Sequence, residues 1–479
     1  MKFARLAILS LFAGLFGMGA YAQPAPERVV NTDIVVIGAG GAGFNAAVTA
    51  AQAKAKVIML EKMPTIGGAT IISGGSMNFP DPKLQEPKGI KDSPDIMYRQ
   101  TLDAGDNRGD PALVRVLADN APELKQWYES LGLVWADRVF EPFGGLFPRG
   151  HNSGATTAGR DYVRVLNDEA KKLGVEIRTN TRAVSLIRDG ANGSVYGVKA
   201  EDKEGKITFL AKAVVIATGG FSGNVEMRMK YDPRLDKSFH TTANPSGKAV
   251  DFNTGDGILM GEHVGAELVG MDYIQLIPWY GGRAIDYVGG DVWVNSEGKR
   301  FVNEGGRRDK IADAILAAKG QFCWVITDDQ SIKNSTVESK LKTGLIKKAN
   351  TIEEMAKGMD MDAKVLRATL ERYNKFAALK QDPDFGKTTF TQLINKPPYY
   401  YGMERENVHF TEGGLHITPR TEVLDVDGKI IPGLYAAGEV TGGVHGDNRA
   451  GGNSLAAISV FGRIAGKNAA ALVAAGSDE

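Results

Sequence analysis

The stretch TDIVVIGAGGAGFNAAVTAAQAKAKVIMLEKM, residues 32–63, constrains the fold more than any other part of the chain. Asp33 to Ile37 form a short β-branched run of the kind that makes a buried parallel strand. Gly38, Gly40 and Gly43 follow in G-x-G-x-x-G spacing, then an alanine-rich helix, a second strand KVIML, and Glu61 at its end. A lone glycine triplet says little. The strand, glycines, helix, second strand and acid in this order predict a dinucleotide-binding fold. The glycines permit a tight turn and close backbone approach. The helix start then offers N–H groups and a favourable dipole to a pyrophosphate, while Glu61 accepts from a ribose hydroxyl.

The same grammar returns along the chain. IGGATIISGGS (66–76) is a second glycine-rich loop, more than a nicotinamide fold usually needs. AKAVVIATGGFSGN (211–224) is another buried strand ending in glycines, and GLYAAGEVTGGVHGDNRAGGNSLAAISVFGRIAG (433–466) reads as strand, glycine loop and helix. Fifty-nine glycines in 479 residues exceed the ordinary share of about 7%, and they gather at these turns. Residues 271–396 lack this grammar. They hold DVWVNSEGKRFVNE, read as a hairpin around Ser296–Gly298, helical stretches over 351–379, and a polar connection near Gln381–Gly386. The recurrence resembles the pattern of FAD-binding two-dinucleotide-domain flavoproteins, which implies an α/β fold: a Rossmann-like FAD-binding domain over 30–270 and 397–475, with an inserted α+β cap domain over 271–396.

Charge narrows the function. With 57 basic and 57 acidic side chains the chain is neutral, so no electrostatic case exists for nucleic acid. Residues 1–22 have the form of a secretory signal: Lys2 and Arg5, an apolar core from Leu6 to Met18, and Ala20-Tyr21-Ala22 as cleavage site. That apolar run is shorter than the ~20 residues a membrane span needs, so export to the periplasm without a stable membrane anchor is expected. The single cysteine, Cys323, lies in apolar FCWVI and reads as a buried small hydrophobe. One cysteine excludes disulfides within the chain, covalent c-type haem and cysteine-ligated iron–sulfur clusters. No metal centre is expected, and redox chemistry must rest on a bound organic cofactor.

Four words, NSEGKRFVNE with RRDK (295–310), TGDGI (254–258), HFTEGGLHI (409–417) and IPGLYAAGEVTGGVHGDNRAGGNS (431–454), carry a resemblance over nearly the whole chain after residue 22. It resembles the flavoprotein domain of soluble fumarate reductases and flavocytochrome c enzymes, relatives of the succinate dehydrogenase flavoprotein. The resemblance implies FAD. It also implies hydride transfer to the β-carbon of an unsaturated acid, a proton to the α-carbon from Arg308, and a carboxylate held by His409 and Arg449. It implies a cofactor set of Gly38, Gly40, Ala42, Gly43, Glu61 and Lys62; of Gly68, Ala69, Thr70, Ser73, Gly74 and Gly75; and of Thr218, Gly219, Asp256, Gly438, Glu439, Asn453, Ser454 and Leu455. His445 is expected to pack beside the flavin, and His151 has no strong physical case as an attachment site.

The residues also make chemical sense. Fixed cationic donors stabilise charge that develops toward a carboxylate, and Arg449 offers a planar fork suited to one. Arg308 as an acid is unusual, because guanidinium scarcely deprotonates in water. Neighbouring positive charge, for which Arg307 is the expected source, and exclusion of water would help. The bland reading of a basic pair before a helix is solvation or pairing with an acid such as Glu304.

Departures from the family point to the substrate. Ile277, Pro278 and Trp279 stand where the family has a His-Pro-Thr word, and Ala284 and Tyr287 stand where it has a proton-relaying acid and arginine. Asp286 or Asp291 are candidate substitutes for the relay. An apolar or aromatic end would leave a second carboxylate unpaired, at about 1–3 kcal/mol or more. The expected substrate is therefore a monocarboxylic 2-enoate such as acrylate, methacrylate, cinnamate or urocanate. Its electrons would come from a separate c-type cytochrome. Fumarate is the alternative, a 3-ketosteroid dehydrogenase-like enzyme a weaker one, and a flavin-bearing electron carrier or assembly factor the non-enzymatic one.

Overall fold

The computed structural model describes residues 28–155, 158–244 and 251–476. The proposed signal segment, 1–22, lies outside them.

The expected α/β fold is present. A six-stranded sheet runs in the order Glu422–Leu424, Ile430–Ala436, Ala213–Ile216, Ile34–Ile37, Val57–Leu60, Glu176–Arg178. Its strands are parallel except the antiparallel edge Glu422–Leu424. The three strands Ala213–Ile216, Ile34–Ile37 and Val57–Leu60 are buried at every residue, which explains their unbroken apolar runs: a parallel sheet covered on both faces leaves no position for alternation. The helices Gly41–Gln52 and Asn453–Ala475 pack against each other closely. A Cβ on Gly462 would stand 2.6 Å from the Ala42 carbonyl oxygen, and one on Gly466 would stand 2.2 Å from that of Ala46. Any larger residue would push the helices apart. This contact ties the last helix to the first glycine loop, 400 residues away in sequence.

The cap has its own antiparallel sheet, ordered Val292–Val294, Cys323–Thr327, Tyr399–Glu404, Ile346–Ala349. Helices Ile352–Gly358 and Ala363–Leu379 supply a separate apolar core around Met355, Leu366, Leu370 and Tyr373. The sheet takes in Tyr399–Glu404, which lies beyond the expected cap limit at 396. The turn at 295–298 forms, with Gly298 N–H donating to the Asn295 carbonyl, but no returning strand follows it. Val292–Val294 pairs with Cys323–Thr327 instead, so the expected hairpin is absent. Cys323 is buried, as its apolar neighbours suggested.

Between nucleotide domain and cap lies an antiparallel pair, Ile274–Pro278 with Glu406–Thr411, whose register shifts between Gln275 and Leu276. One strand carries Gln275 and Ile277, the other His409. This ribbon and the helix Arg308–Ala317 bring the cap's chemistry to the glycine loops.

Candidate active site

The first glycine loop is built for close approach. Gly38 has φ +105°, and a Cβ there would stand 2.3 Å from the Ala217 carbonyl oxygen, while one on Gly43 would stand 1.9 Å from that of Gly38. Two helix N-termini, Gly41 and Asn453, follow glycine N-caps with no side-chain cap. Their residues Gly41, Ala42, Ser454 and Leu455 line one cavity of about 1610 Å³, open mouth included. A Cβ on Gly74 would meet nothing within 4 Å, since the cavity itself fills that space. The Thr218 hydroxyl is buried with no partner among the described residues. Glycine-capped helix starts, the first with its Gly41 N–H donating to Thr70 Oγ1 at 3.2 Å, an orphaned hydroxyl and glycine-lined stretches of wall fit a dinucleotide with its pyrophosphate against a helix start.

Most of the expected cofactor residues line this cavity: Gly38, Gly40, Ala42, Glu61, Lys62, Gly68, Ala69, Thr70, Ser73, Gly74, Gly75, Thr218, Gly219, Glu439, Ser454 and Leu455. Four do not. Gly43 lies under Gly38, and Gly438 packs against the Ala42 Cβ. Asn453 exchanges hydrogen bonds with Asn78 and Thr101. Asp256 accepts from Lys62 and Arg182 and so holds Lys62 in place. Glu61 accepts from the N–H groups of Ala39 (3.0 Å) and Met63 (2.9 Å), which makes it the brace of the loop as well as part of the wall.

The cap closes the same cavity with Arg308, His409 and Arg449, so the structure brings all three predicted groups together. Arg308 begins its helix and is 6% exposed. Its Nε and Nη2 donate to the Phe143 carbonyl at 3.2 and 2.8 Å, and its Nη1 donates to Gln275 Oε1 at 3.1 Å. Space is tight around it: a Cβ on Gly144 would stand 2.5 Å from the Arg308 Cγ. Arg449 Nη2 donates to the same Gln275 oxygen at 3.2 Å, and its Cζ lies 4.4 Å from the Phe410 ring centre. Gln275 thus joins the two guanidinium groups through one acceptor.

Burial pushes Arg308 well below the usual guanidinium range, and the charges of Arg449 and Arg283 push it further. Burial likewise lowers Arg449 to about 10 and holds His409 well below the imidazole range, with Arg308 and Arg449 adding to the effect. His409 is therefore neutral. Its Nδ1 lies 2.8 Å from Thr242 Oγ1. A hydroxyl donating to Nδ1 leaves Nε2–H free for an oxygen in the cavity. Glu412 accepts the Arg449 backbone N–H at 2.8 Å, and burial pushes its carboxyl up to about 8. Its charge, where present, acts on both Arg449 and Arg308 and favours their protonated forms. Three guanidinium groups line the cavity alongside the carboxyls of Glu439 and Asp286, and they offer an anion fixed donors.

Two expectations are corrected. Arg307 is not the charge beside Arg308: it pairs with Asp106 and Asp309, and the like charges that act on Arg308 are Arg449 and Arg283, opposed by Glu412. Glu304 does not pair with the basic doublet either, being buried between Arg300 and Lys387. Asp286 lines the cavity, whereas Asp291 sits behind it, accepting from the Trp293 indole. His445 packs edge to face on Phe410 rather than lining the main cavity. Gln275, Thr242 and Arg283 are the site groups that sequence reasoning did not single out.

The family described as FAD binding domain matches residues 33–455. The chain belongs to this family. Its cofactor is FAD, and it is an FAD-dependent oxidoreductase of the CH–CH class. A relative named fumarate reductase (cytochrome), from Shewanella frigidimarina, is 39% identical over 455 residues, covering 93% of this chain and 78% of the relative. A urocanate reductase from Eggerthella lenta is 38% identical over 474 residues, covering 94% and 76%. The solved open conformation of a flavocytochrome c3 fumarate reductase superposes with a TM-score of 0.71 at 36% identity, covering 93% of this chain and 79% of that one.

Proposed function

We propose that the protein reduces the C=C bond of an α,β-unsaturated carboxylic acid in the periplasm, with electrons from a separate c-type cytochrome. The observation that carries this reading is the set of buried guanidinium groups with neutral His409, on the wall of the cavity that the glycine loops enclose. Relatives named as fumarate and urocanate reductases support it. FAD held by the glycine loops would, once reduced by two electrons from the donor, supply the hydride that the β-carbon takes. Arg449 and His409 hold the carboxylate, so charge developing at the α-carbon spreads toward fixed donors. Arg308 gives its proton to the α-carbon and recovers one afterwards. Its burial beside two cations lowers its hold on that proton, which is what an acid of this type requires.

Ile277 and Trp279 support a monocarboxylic 2-enoate such as acrylate, methacrylate, cinnamate or urocanate. Arg283 favours the second reading, fumarate, since it sets a cation in the same wall. The test is to reduce the purified flavoprotein with an artificial donor under anaerobic conditions and follow its reoxidation by each acid. At least one acid should reoxidise the flavin and appear as its saturated product. Reoxidation by none of them would contradict the proposal. Equal rates with every acid would instead support an electron carrier. Export is checked separately by reading the N-terminus of the protein recovered from the periplasm, expected near Gln23.

A further inference from the structure

Arg283 is 1% exposed and lines the cavity together with Ile277 and Trp279. Its guanidinium is under-used. Nε and Nη1 are buried with no hydrogen-bond partner among the described residues, and Nη2 stands 3.6 Å from Asp291 Oδ2. Its Cζ lies 4.3 Å from the Phe143 ring centre and 5.5 Å from that of Trp293. The backbone beneath is pinned: Tyr280, Gly281 and Arg283 donate N–H groups to Glu404, and Asn334 and Lys340 donate to the Arg283 carbonyl. A buried, rigidly held cation with idle donors is costly unless a ligand satisfies it.

We infer that Arg283 selects the substrate by its far end, requiring a β-substituent that carries a hydrogen-bond acceptor. A second carboxylate, a ring oxygen or an unprotonated ring nitrogen meets this requirement. A bare methyl or phenyl group does not, so the requirement narrows the acids proposed above to urocanate and fumarate and disfavours acrylate, methacrylate and cinnamate. The inference rests on the proposed reduction of a 2-enoate whose carboxylate is taken by Arg449 and His409. Phe143 connects the two ends, since its ring lies under both Arg283 and Arg308, the latter at 5.5 Å. A site built to donate hydrogen bonds rejects analogues that lack the acceptor far more strongly than an apolar site rejects a change of size.

The experiment measures kcat/KM of the holoenzyme on acids matched in size: fumarate against crotonate, and 4-hydroxycinnamate against cinnamate. The acceptor-bearing acid should win by about a hundredfold or more in at least one pair, and the pair that responds distinguishes a carboxylate from a ring oxygen. Arg283→Met should reduce that ratio at least about tenfold, and Arg283→Lys, which keeps the charge beside Asp291, should retain part of it. Flavin content and Tm establish that both variants fold. A ratio unchanged in folded Arg283→Met, or no preference in either pair, overturns the inference while leaving the reductase reading intact. Wild-type protein that reduces no acid at all overturns both.

Discussion

Arg308, His409 and Arg449 share a cavity although 141 residues separate the first from the last. Their chemistry depends on companions that carry no local signal. Gln275 lies 33 residues from Arg308 and 174 from Arg449, and Thr242 lies 167 from His409. Only the fold makes them neighbours, so the motif words disclosed the first three groups and hid the rest. Thr242→Val removes the hydroxyl that meets His409 Nδ1 while keeping its shape. We expect kcat/KM to fall about tenfold, equivalent to about 1.4 kcal/mol, with bound flavin unchanged. An unaltered kcat/KM would show that Nδ1 needs no partner. Arg307, by contrast, attracted notice only through its position in the sequence. Arg307→Ala removes a surface pair, worth about 0–1 kcal/mol, and steady-state assay should find turnover within about threefold of wild type.

At the scale of elements, the strand–glycine–helix unit was legible because its requirements are local: a turn, a close approach, a helix start. Gly43 shows how strict they are. A methyl group 1.9 Å from the Gly38 carbonyl oxygen must displace the loop, so Gly43→Ala should lower flavin occupancy of the purified protein severely, together with about 1–3 kcal/mol of stability. Absorbance at the flavin maximum relative to protein measures the first and a denaturant titration the second. The expected hairpin at 295–298 was misread for the converse reason. Its turn chemistry is correct, but the partner of Val292–Val294 is Cys323–Thr327, chosen by packing about thirty residues away. The same non-local pairing carries Tyr399–Glu404 into the cap sheet.

For the whole molecule, the large apolar core of the nucleotide sheet and the separate core of the cap helices, with three smaller clusters, accompany a division that the glycine grammar suggested and whose edges it could not give. The cap also holds a buried charge network in which Glu304 meets Arg300 and Lys387, and Asp382 meets Arg300. Lys387→Met leaves Glu304 short of one cation and should cost about 3–5 kcal/mol, read as a large fall in Tm.

The global pH response should also carry a signature. Burial raises Glu404 to about 7 and Glu412 to about 8. Groups raised in the folded state stabilise fully below the unfolded carboxyl value and lose that contribution as pH climbs through the folded one. Stability should therefore fall from about pH 4.5 to about pH 8, each group contributing up to about 1.4 kcal/mol per pH unit until its folded value is passed. Glu412→Gln should flatten the decline, and a Tm series across that range checks it. Arg308 as the acid of a C=C reduction is tested most directly by the reoxidation rate of reduced Arg308→Ala holoprotein on the best acid. That rate should fall at least about a hundredfold with full flavin occupancy. Wild-type turnover in that variant would contradict it.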